Sequence, residues 1–230
     1  MRFELKMSNL KKELLQTNDG SFTIYLPEWN ESYHSKHGAI QEAYHVFIQN
    51  GLDFFSDTNE ISILEIGFGT GLNAFITLLE SKKRNQKIHY TGIEAFPLTS
   101  DIYEKLNYTE LLNAPEQKDL FIDLHRSQWN QQQEIIPNFS LEKIQMRFEE
   151  ITFENKFDLI YFDAFGFRVQ PELWSFDIFN RMFRALKTKG VLTTYACRSS
   201  ITRNLKENGF EIKKIPGPIG KREMTLAFKP

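Results

Sequence analysis

The sequence predicts an α/β protein built on an open, mostly parallel sheet, and three observations carry that prediction. From Ile61 onward, short apolar runs of strand length alternate with amphipathic segments of helix length. The first of these runs leads directly into the glycine-rich stretch LEIGFGTGLN, a strand-loop-helix pattern. No internal repeat, low-complexity tract or Pro-rich linker divides the 230 residues. In such sheets ligands bind beyond the carboxyl ends of the strands, so the chemistry is expected there.

The elements follow in order. Asn18-Asp19-Gly20 stands between two strand-like runs and predicts a hairpin. A helix is expected from Gly38 to Asn50, because Ala39, Ile40, Ala43, Val46 and Phe47 recur at helical spacing and Gly51 supplies a stop. A change of character near residue 57 divides a small amino-terminal α+β subdomain, 1–57, from a main domain, 58–230. In the main domain ISILEI reads as a buried strand, and Leu72, Phe75, Ile76 and Leu79 share one face of the helix after it. KIHYTGIEA is a second strand ending in Glu94, and helical or irregular sequence is expected over about 97–140. KIQMRF, FDLIYFDAF and GVLTTYA are the next three strands, with a helix over 173–187 before the last of them. A further helix ends near Gly209. FEIKKI and EMTLAF close the chain, joined by a segment too short for a helical crossover, which makes this pair antiparallel.

Composition narrows the class. Hydrophobic residues at 41% and charged residues at 25% describe a globular chain and exclude a disordered one. Cys197 is the only cysteine, which rules out an internal disulfide and a cysteine-based zinc site; inside a strand-like run it is read as core. His34, His37 and His45 lie close together but not at a metal-binding spacing, so no metal is expected. The amino terminus lacks a signal-peptide core and Glu65 and Asn73 interrupt the longest apolar stretch, so neither a membrane span nor export is expected, and the cytoplasm is the expected location. The net charge of -2 hides an asymmetry. Residues 181–229 carry 12 Lys or Arg against 3 Glu, a net of +9, which leaves the first 180 residues at -11 (16 against 27). A basic surface of this kind faces a polyanion or is simply solvated.

Gly67, Gly69 and Gly71 allow a sharp turn and bring bare backbone against a ligand. The stretch lacks the Gly-Lys-Ser/Thr ending of a phosphate loop, and its third glycine comes one residue earlier than in the dinucleotide fingerprint. Glu94 lies 23 residues beyond Gly71, where a carboxylate accepts hydrogen bonds from a ribose diol. A ribose without a pyrophosphate matches S-adenosylmethionine; a nicotinamide site is the less favoured reading. The candidate cofactor residues are Glu65, Gly67, Phe68, Gly69, Gly71 and Asn73, with Glu94 and Ala95 at the second strand's end. Asp163 emerges at the end of the fourth strand as the candidate catalytic residue, with Phe162, Phe165, Phe167 and Trp174 offering flat surfaces to an unpaired base. An ordinary aspartate, with a pKa near ~3.9, is a poor base for an amine, so the role expected of Asp163 is first to orient the nucleophile.

The segments DGSFTIYLPEWNESYHSKHGAIQEAYHVF, LEIGFGTGLNAF, YTGIEAFPL, FDLIYFDAF, PELW and PGPIGKREMTLAF together resemble the tRNA 5-methylaminomethyl-2-thiouridine methyltransferases of the stand-alone MnmD type, which are similar to the methyltransferase half of bifunctional MnmC. The resemblance covers nearly the whole chain. It implies a class I S-adenosylmethionine-dependent methyltransferase fold, Rossmann-like, with a seven-stranded sheet whose last strand is antiparallel, behind a small amino-terminal hairpin-helix subdomain covering the site. It implies methylation of the aminomethyl nitrogen of a modified wobble uridine, tRNA as partner and no fused flavin-binding half. By motif it assigns Gly67, Gly69 and Gly71 to the cofactor loop, Glu94 to the ribose and Asp163 to the reacting amine. Tyr33, His34, Gly38 and Glu42 match the family's early motif over the pocket, and Lys221, Arg222 and Glu223 its late one; all of these but Glu223, with Phe165 and Trp174, form the expected substrate side.

The chain departs from the family in three places. Gly166 and Phe167 stand where relatives read Ala-Pro. Ser199 stands near a usual glycine and, with Ser200, is expected to cap the following helix. The acidic residue that contacts adenine has no clear counterpart: Arg147 lies near its position, Glu149 and Glu150 slightly later. Methylation of a different RNA position or of a small amine, and a catalytically silent RNA-binding module, stand as alternatives.

Overall fold

The computed structural model describes residues 10–230. The first nine residues, part of the segment read as lacking a signal-peptide core, lie outside them. Strands β1 (Glu13–Gln16), β2 (Phe22–Leu26) and β3 (Glu31–Ser32) form a three-stranded antiparallel sheet. The expected hairpin turn is present. Gly20 adopts φ +86°, and the Asp19 carboxylate accepts from the Thr17 and Ser21 hydroxyls at 2.7 and 2.5 Å and from Gln41 N–H at 3.2 Å. One aspartate thus closes the turn and anchors the next helix to it. Helix α1 (Ala39–Ala43) runs into wider π turns over Tyr44–Gln49, where a single α-helix was expected. Within those turns the Val46 carbonyl accepts from Thr193 Oγ1 at 2.8 Å, and Phe47 packs on Tyr161 with ring centroids 5.0 Å apart. The amino-terminal segment therefore shares its core with the main sheet.

That sheet contains β4 (Glu60–Ile66), β5 (Lys87–Glu94), β6 (Gln131–Ile136), β7 (Phe139–Gln145), β8 (Phe157–Phe162), β9 (Leu186–Thr194), β10 (Glu211–Pro216) and β11 (Glu223–Phe228), in the order β10-β11-β9-β8-β4-β5-β7-β6. Strands β4, β5, β7, β8 and β9 are mutually parallel, and β11 is antiparallel to both β9 and β10, as expected of the final pair. An eighth strand corrects the sequence reading. Residues 131–136 form β6, antiparallel to β7 across the two-residue turn Pro137-Asn138, and β7 starts at Phe139 instead of Lys143. The polar run Gln131-Gln132-Gln133-Glu134 carries no strand propensity; only its edge position, exposed to water, makes it a strand.

Helices α2 (Leu72–Arg84), α3 (Ser100–Tyr103), α4 (Tyr108–Leu111), α5 (Lys118–Arg126), α6 (Phe176–Ala185) and α7 (Ser199–Glu207) complete the layers. Period-two alternation sends Ile61 and Ile63 of β4 into the core shared with α1, α2 and α5, and Leu64 and Ile66 into the core beneath α6 and α7. The same parity points Glu65 into the first of these layers. Two smaller readings change as well. Ser199 and Ser200 do not cap α7, whose N-cap is Arg198, because both already lie within the helix. Cys197 is half-exposed beyond the end of β9, its Sγ 3.8 Å from Glu223 Oε2, and is not core.

Candidate active site

The carboxyl ends of three adjacent strands, β8, β4 and β5, each deliver an acid. Asp163 follows β8, Glu65 is the penultimate residue of β4, and Glu94 ends β5. The glycine loop between β4 and α2 lies over them. Gly67, Gly69 and Gly71 take φ of +91°, +48° and +70°, a left-handed run that side chains resist. A Cβ on Gly67 would stand 2.8 Å from the Asp163 carbonyl, so bare backbone is required for the loop and the β8 end to meet. Glu94 secures the other side: its carboxylate accepts from Gly69 N–H at 3.1 Å and from Phe96 N–H at 2.8 Å.

Phe68 belongs to this loop in an unexpected sense. Its side chain is buried and plugs the space over Gly92, where an added Cβ would meet the ring at 2.6 Å. It therefore anchors the loop from beneath while its neighbours' backbone faces the cleft.

Asn73, in the first turn of α2, donates from Nδ2 to Asp163 Oδ2 at 2.9 Å, and Asp163 N–H donates to Ile66 O at 3.0 Å. Burial, reinforced by the nearby Glu42 carboxylate, raises the Asp163 pKa to about 7 despite the Asn73 hydrogen bond and the Lys221 charge. That value corrects the expectation of an ordinary aspartate: near neutrality the group is divided between its protonated and ionised forms. Glu65 is fully buried, and burial followed by repulsion from Asp163 raises its pKa well above the usual carboxylate range. Burial also raises Glu94, partly opposed by the backbone N–H groups of Phe96, Gly69 and Ala95.

The cleft in front of these residues is half-open to solvent. Tyr33, His34, Ala95 and Phe165 line it together with the glycine loop, Asn73, Glu94 and Asp163. Tyr33 and Phe165 meet edge to face at 4.9 Å, and Trp29 meets Phe165 at 5.8 Å. Arg168 ties the loop after β8 to the amino-terminal sheet, donating to the carbonyls of Trp29 and Asn30 at 3.1 and 2.9 Å and to Glu31 at 3.0 Å. The cleft's far wall contains Arg147, Phe148 and Glu149, beyond the end of β7. The sequence left the adenine contact unassigned. The signal available was the capping pattern, in which Glu150 is occupied by Arg147 N–H at 2.7 Å, leaving Glu149 on the cleft wall.

Other expected substrate residues stand elsewhere. Trp174 and Phe162 are completely buried; Trp174 Nε1 donates to the Phe165 carbonyl at 2.9 Å and so supports the acceptor loop from behind instead of offering a stacking face. Gly38 faces Asp19, where a Cβ would meet the carboxylate at 2.6 Å, so its role is close packing. Glu42 is buried, accepts from Ser35 N–H at 2.8 Å and pairs with the Lys221 ammonium, which also lies 4.4 Å from the Tyr195 ring centre. Lys221 is therefore engaged inward, whereas Arg222 is exposed. Phe167 lies under the Arg198 guanidinium at 4.6 Å.

Glu94, Asp163 and the side-chain-free backbone of the loop line the cleft and suit a nucleoside bearing cationic groups, whereas Glu65 is buried beneath it. The fold is that of the class I S-adenosylmethionine-dependent methyltransferases, residues 117–230 match the family model described as S-adenosyl-L-methionine-dependent methyltransferase, and the cofactor that both imply is S-adenosylmethionine. Within that class the chain resembles the methyltransferase part of a named group of bifunctional proteins, as an MnmD-type domain. It is 30% identical over 229 residues to the tRNA 5-methylaminomethyl-2-thiouridine biosynthesis bifunctional protein MnmC of Cupriavidus metallidurans, matching 94% of this chain and 33% of that one. It is 30% identical over 223 residues to the protein of the same name from Delftia acidovorans, matching 90% of this chain and 34% of that one. The chain thus spans about a third of the length of the curated relatives it matches. The crystal structure of MNMC2 from Aquifex aeolicus superposes with a TM-score of 0.78 at 24% identity, covering 98% of this chain and 74% of that one, and supports the fold. Among the described residues no helix is long and apolar enough to cross a membrane.

Proposed function

We propose that this chain methylates the aminomethyl nitrogen of 5-aminomethyl-2-thiouridine at the wobble position of tRNA, giving 5-methylaminomethyl-2-thiouridine. The observation that carries the reading is Asp163, a carboxylate with a pKa near 7 at the mouth of a cofactor cleft, fixed by Asn73 and faced by Phe165. Near-complete coverage by the MnmC relatives supports the substrate, as do the exposed cations Arg198, Arg203, Lys213, Lys214 and Arg222. The amino-terminal segment up to residue 57 acts as the cover of the acceptor side, through Tyr33 and the Arg168 clamp, and the enzyme works in the cytoplasm.

S-adenosylmethionine, when bound, supplies an electrophilic methyl group on a sulfonium. The residues present would hold it at the bare backbone of Gly67–Gly71, with Glu94 toward the ribose and Glu149 and Phe148 toward the base. Asp163 accepts a hydrogen bond from the substrate amine, aims its lone pair and takes the proton that the nitrogen loses on methylation. Phe165 and Tyr33 exclude water from that step.

Nucleoside analysis of tRNA incubated with protein and labelled cofactor tests the proposal. Label in 5-methylaminomethyl-2-thiouridine, from aminomethylated but not unmodified tRNA, is expected. Label in another nucleoside or in small amines would overturn it.

A further inference from the structure

The glycine loop is held by side chains outside the glycine motif. Thr70, between Gly69 and Gly71, is gripped from two sides. Its hydroxyl meets His34 Nε2 at 3.3 Å, and His34 Nδ1 meets Thr23 Oγ1 of β2 at 2.9 Å. On the opposite side its carbonyl accepts from His125 Nε2 at 3.1 Å. His125 lies in the last turn of α5, stacks on Tyr103 with ring centres 4.2 Å apart at 7°, and packs edge-on to Phe68 at 5.7 Å. It lies so close that a Cβ on Gly71 would meet Nε2 at 3.0 Å. The backbone of His125 is fixed in turn. Lys143, a buried lysine in the middle of β7, donates from Nζ to the His125 carbonyl at 2.5 Å and lies 4.6 Å from the Trp129 ring centre.

A lysine inside a sheet is costly, and so is a polar ring among Phe68, Tyr103 and Phe121, unless each has a partner. Here both partners lead to the cofactor loop. We propose that His125, fixed by Lys143, is the positioning residue of that loop: its Nε2–H holds the Thr70 carbonyl and with it the left-handed run Gly69–Gly71 in the form that accepts the cofactor. A carbonyl only accepts, so Nε2 carries the proton and the ring serves as a single-tautomer donor. Burial, with the Lys143 charge, lowers the His125 pKa to about 3, so the ring stays neutral and the donor is permanent over the working range. In this arrangement the cofactor site is preorganised by a residue on α5 that lies outside the glycine motif and contacts neither the cofactor nor the acceptor.

The inference rests on reading the cleft as a cofactor site, and the experiment separates the two. S-adenosylmethionine and its demethylated product are titrated calorimetrically into the full chain. No binding to the unaltered protein would defeat the reading of the cleft. With that binding in hand, H125F keeps the ring and its stack but loses the donor, and H125Q keeps a donor of similar reach but loses the ring. We expect Kd to rise about tenfold in H125F, the effect of one buried hydrogen bond, with H125Q within about threefold of the unaltered chain. In turnover, KM for the cofactor should rise in H125F with kcat little changed. Loss of folded protein alone would lower kcat and the binding stoichiometry and leave Kd unmoved. H125L, with neither ring nor donor, carries the expectation of H125F should that variant not fold. An unchanged Kd in H125F or H125L, or equal weakening in H125F and H125Q, would overturn the assignment.

Discussion

Asp163→Asn separates what this carboxylate does for chemistry from what it does to stability. In the folded protein burial and Glu42 raise its pKa to about 7, from 3.8 unperturbed. The folded state therefore holds a proton that the unfolded chain releases at lower pH, and the linkage has a definite sign. The contribution of this group to stability is greatest below about pH 4, falls as pH rises through the interval up to about 7, and is level above it. A shift of three units corresponds to about 4 kcal/mol, reduced to roughly 2 kcal/mol once the partial exposure of the group is allowed for. Asparagine keeps the shape and still accepts from Asn73 Nδ2, but it carries no charge to desolvate or to repel Glu65 and Glu42. D163N should then melt at least about 4 °C higher than the unaltered chain at pH 8 and at nearly the same temperature at pH 4. Its methyl transfer should fall by at least about a hundredfold, since the amide accepts no proton. The unaltered enzyme's single-turnover rate should rise about tenfold between pH 6 and 8, as Asp163 ionises. Calorimetry across pH, paired with single-turnover transfer of labelled methyl, reads all three. An equal melting temperature at pH 8, or a D163N rate close to normal, would show that the carboxylate is neither strained nor catalytic.

Three further substitutions test the frame around it. Glu94→Ala removes the acceptor for Gly69 and Phe96 N–H, and the cofactor's Kd should rise at least about tenfold in calorimetry; an unchanged value would remove Glu94 from the site. Gly67→Ala forces a left-handed residue and a 2.8 Å approach to the Asp163 carbonyl, so chemical denaturation should show a loss of about 1–3 kcal/mol together with weaker cofactor binding. Trp174→Phe preserves most of the buried ring but leaves the Phe165 carbonyl without its donor, and KM for tRNA should rise while cofactor Kd holds; the reverse pattern would place the ring on the cofactor side.

The parts of this molecule legible in the sequence are those determined by local chemistry. Three glycines between a buried strand and an apolar helix face can only be a tight turn, and Glu94 and Asp163 fall at strand ends because the apolar runs before them stop there. What was not legible depends on long-range contacts. Nothing in Gln131-Gln132-Gln133 announces a strand, since its partner β7 and its edge position supply the reason. Trp174 was expected to offer a flat surface beside Asp163; its burial depends on Phe162 and Phe179, whose faces no local pattern reveals. His125 and Lys143 lie in unremarkable stretches, 55 and 73 positions beyond Thr70, and acquire meaning only when the sheet brings them together.

The electrostatics of the strand ends explain why the site takes this form. Glu65, Glu94 and Asp163 occupy adjacent parallel strands, and each is less acidic in the fold than in water. Lys221 offers limited relief, because its ammonium is paired with Glu42. A cluster of this kind costs stability unless something cationic arrives. A ligand carrying a sulfonium and an ammonium would lower that cost, whereas one carrying a pyrophosphate would add to it. On the proposed function the same acids that weaken the fold would select the ligand, and the acid at the cleft mouth, with a pKa close to neutrality, would take up an amine's proton and pass it on to water.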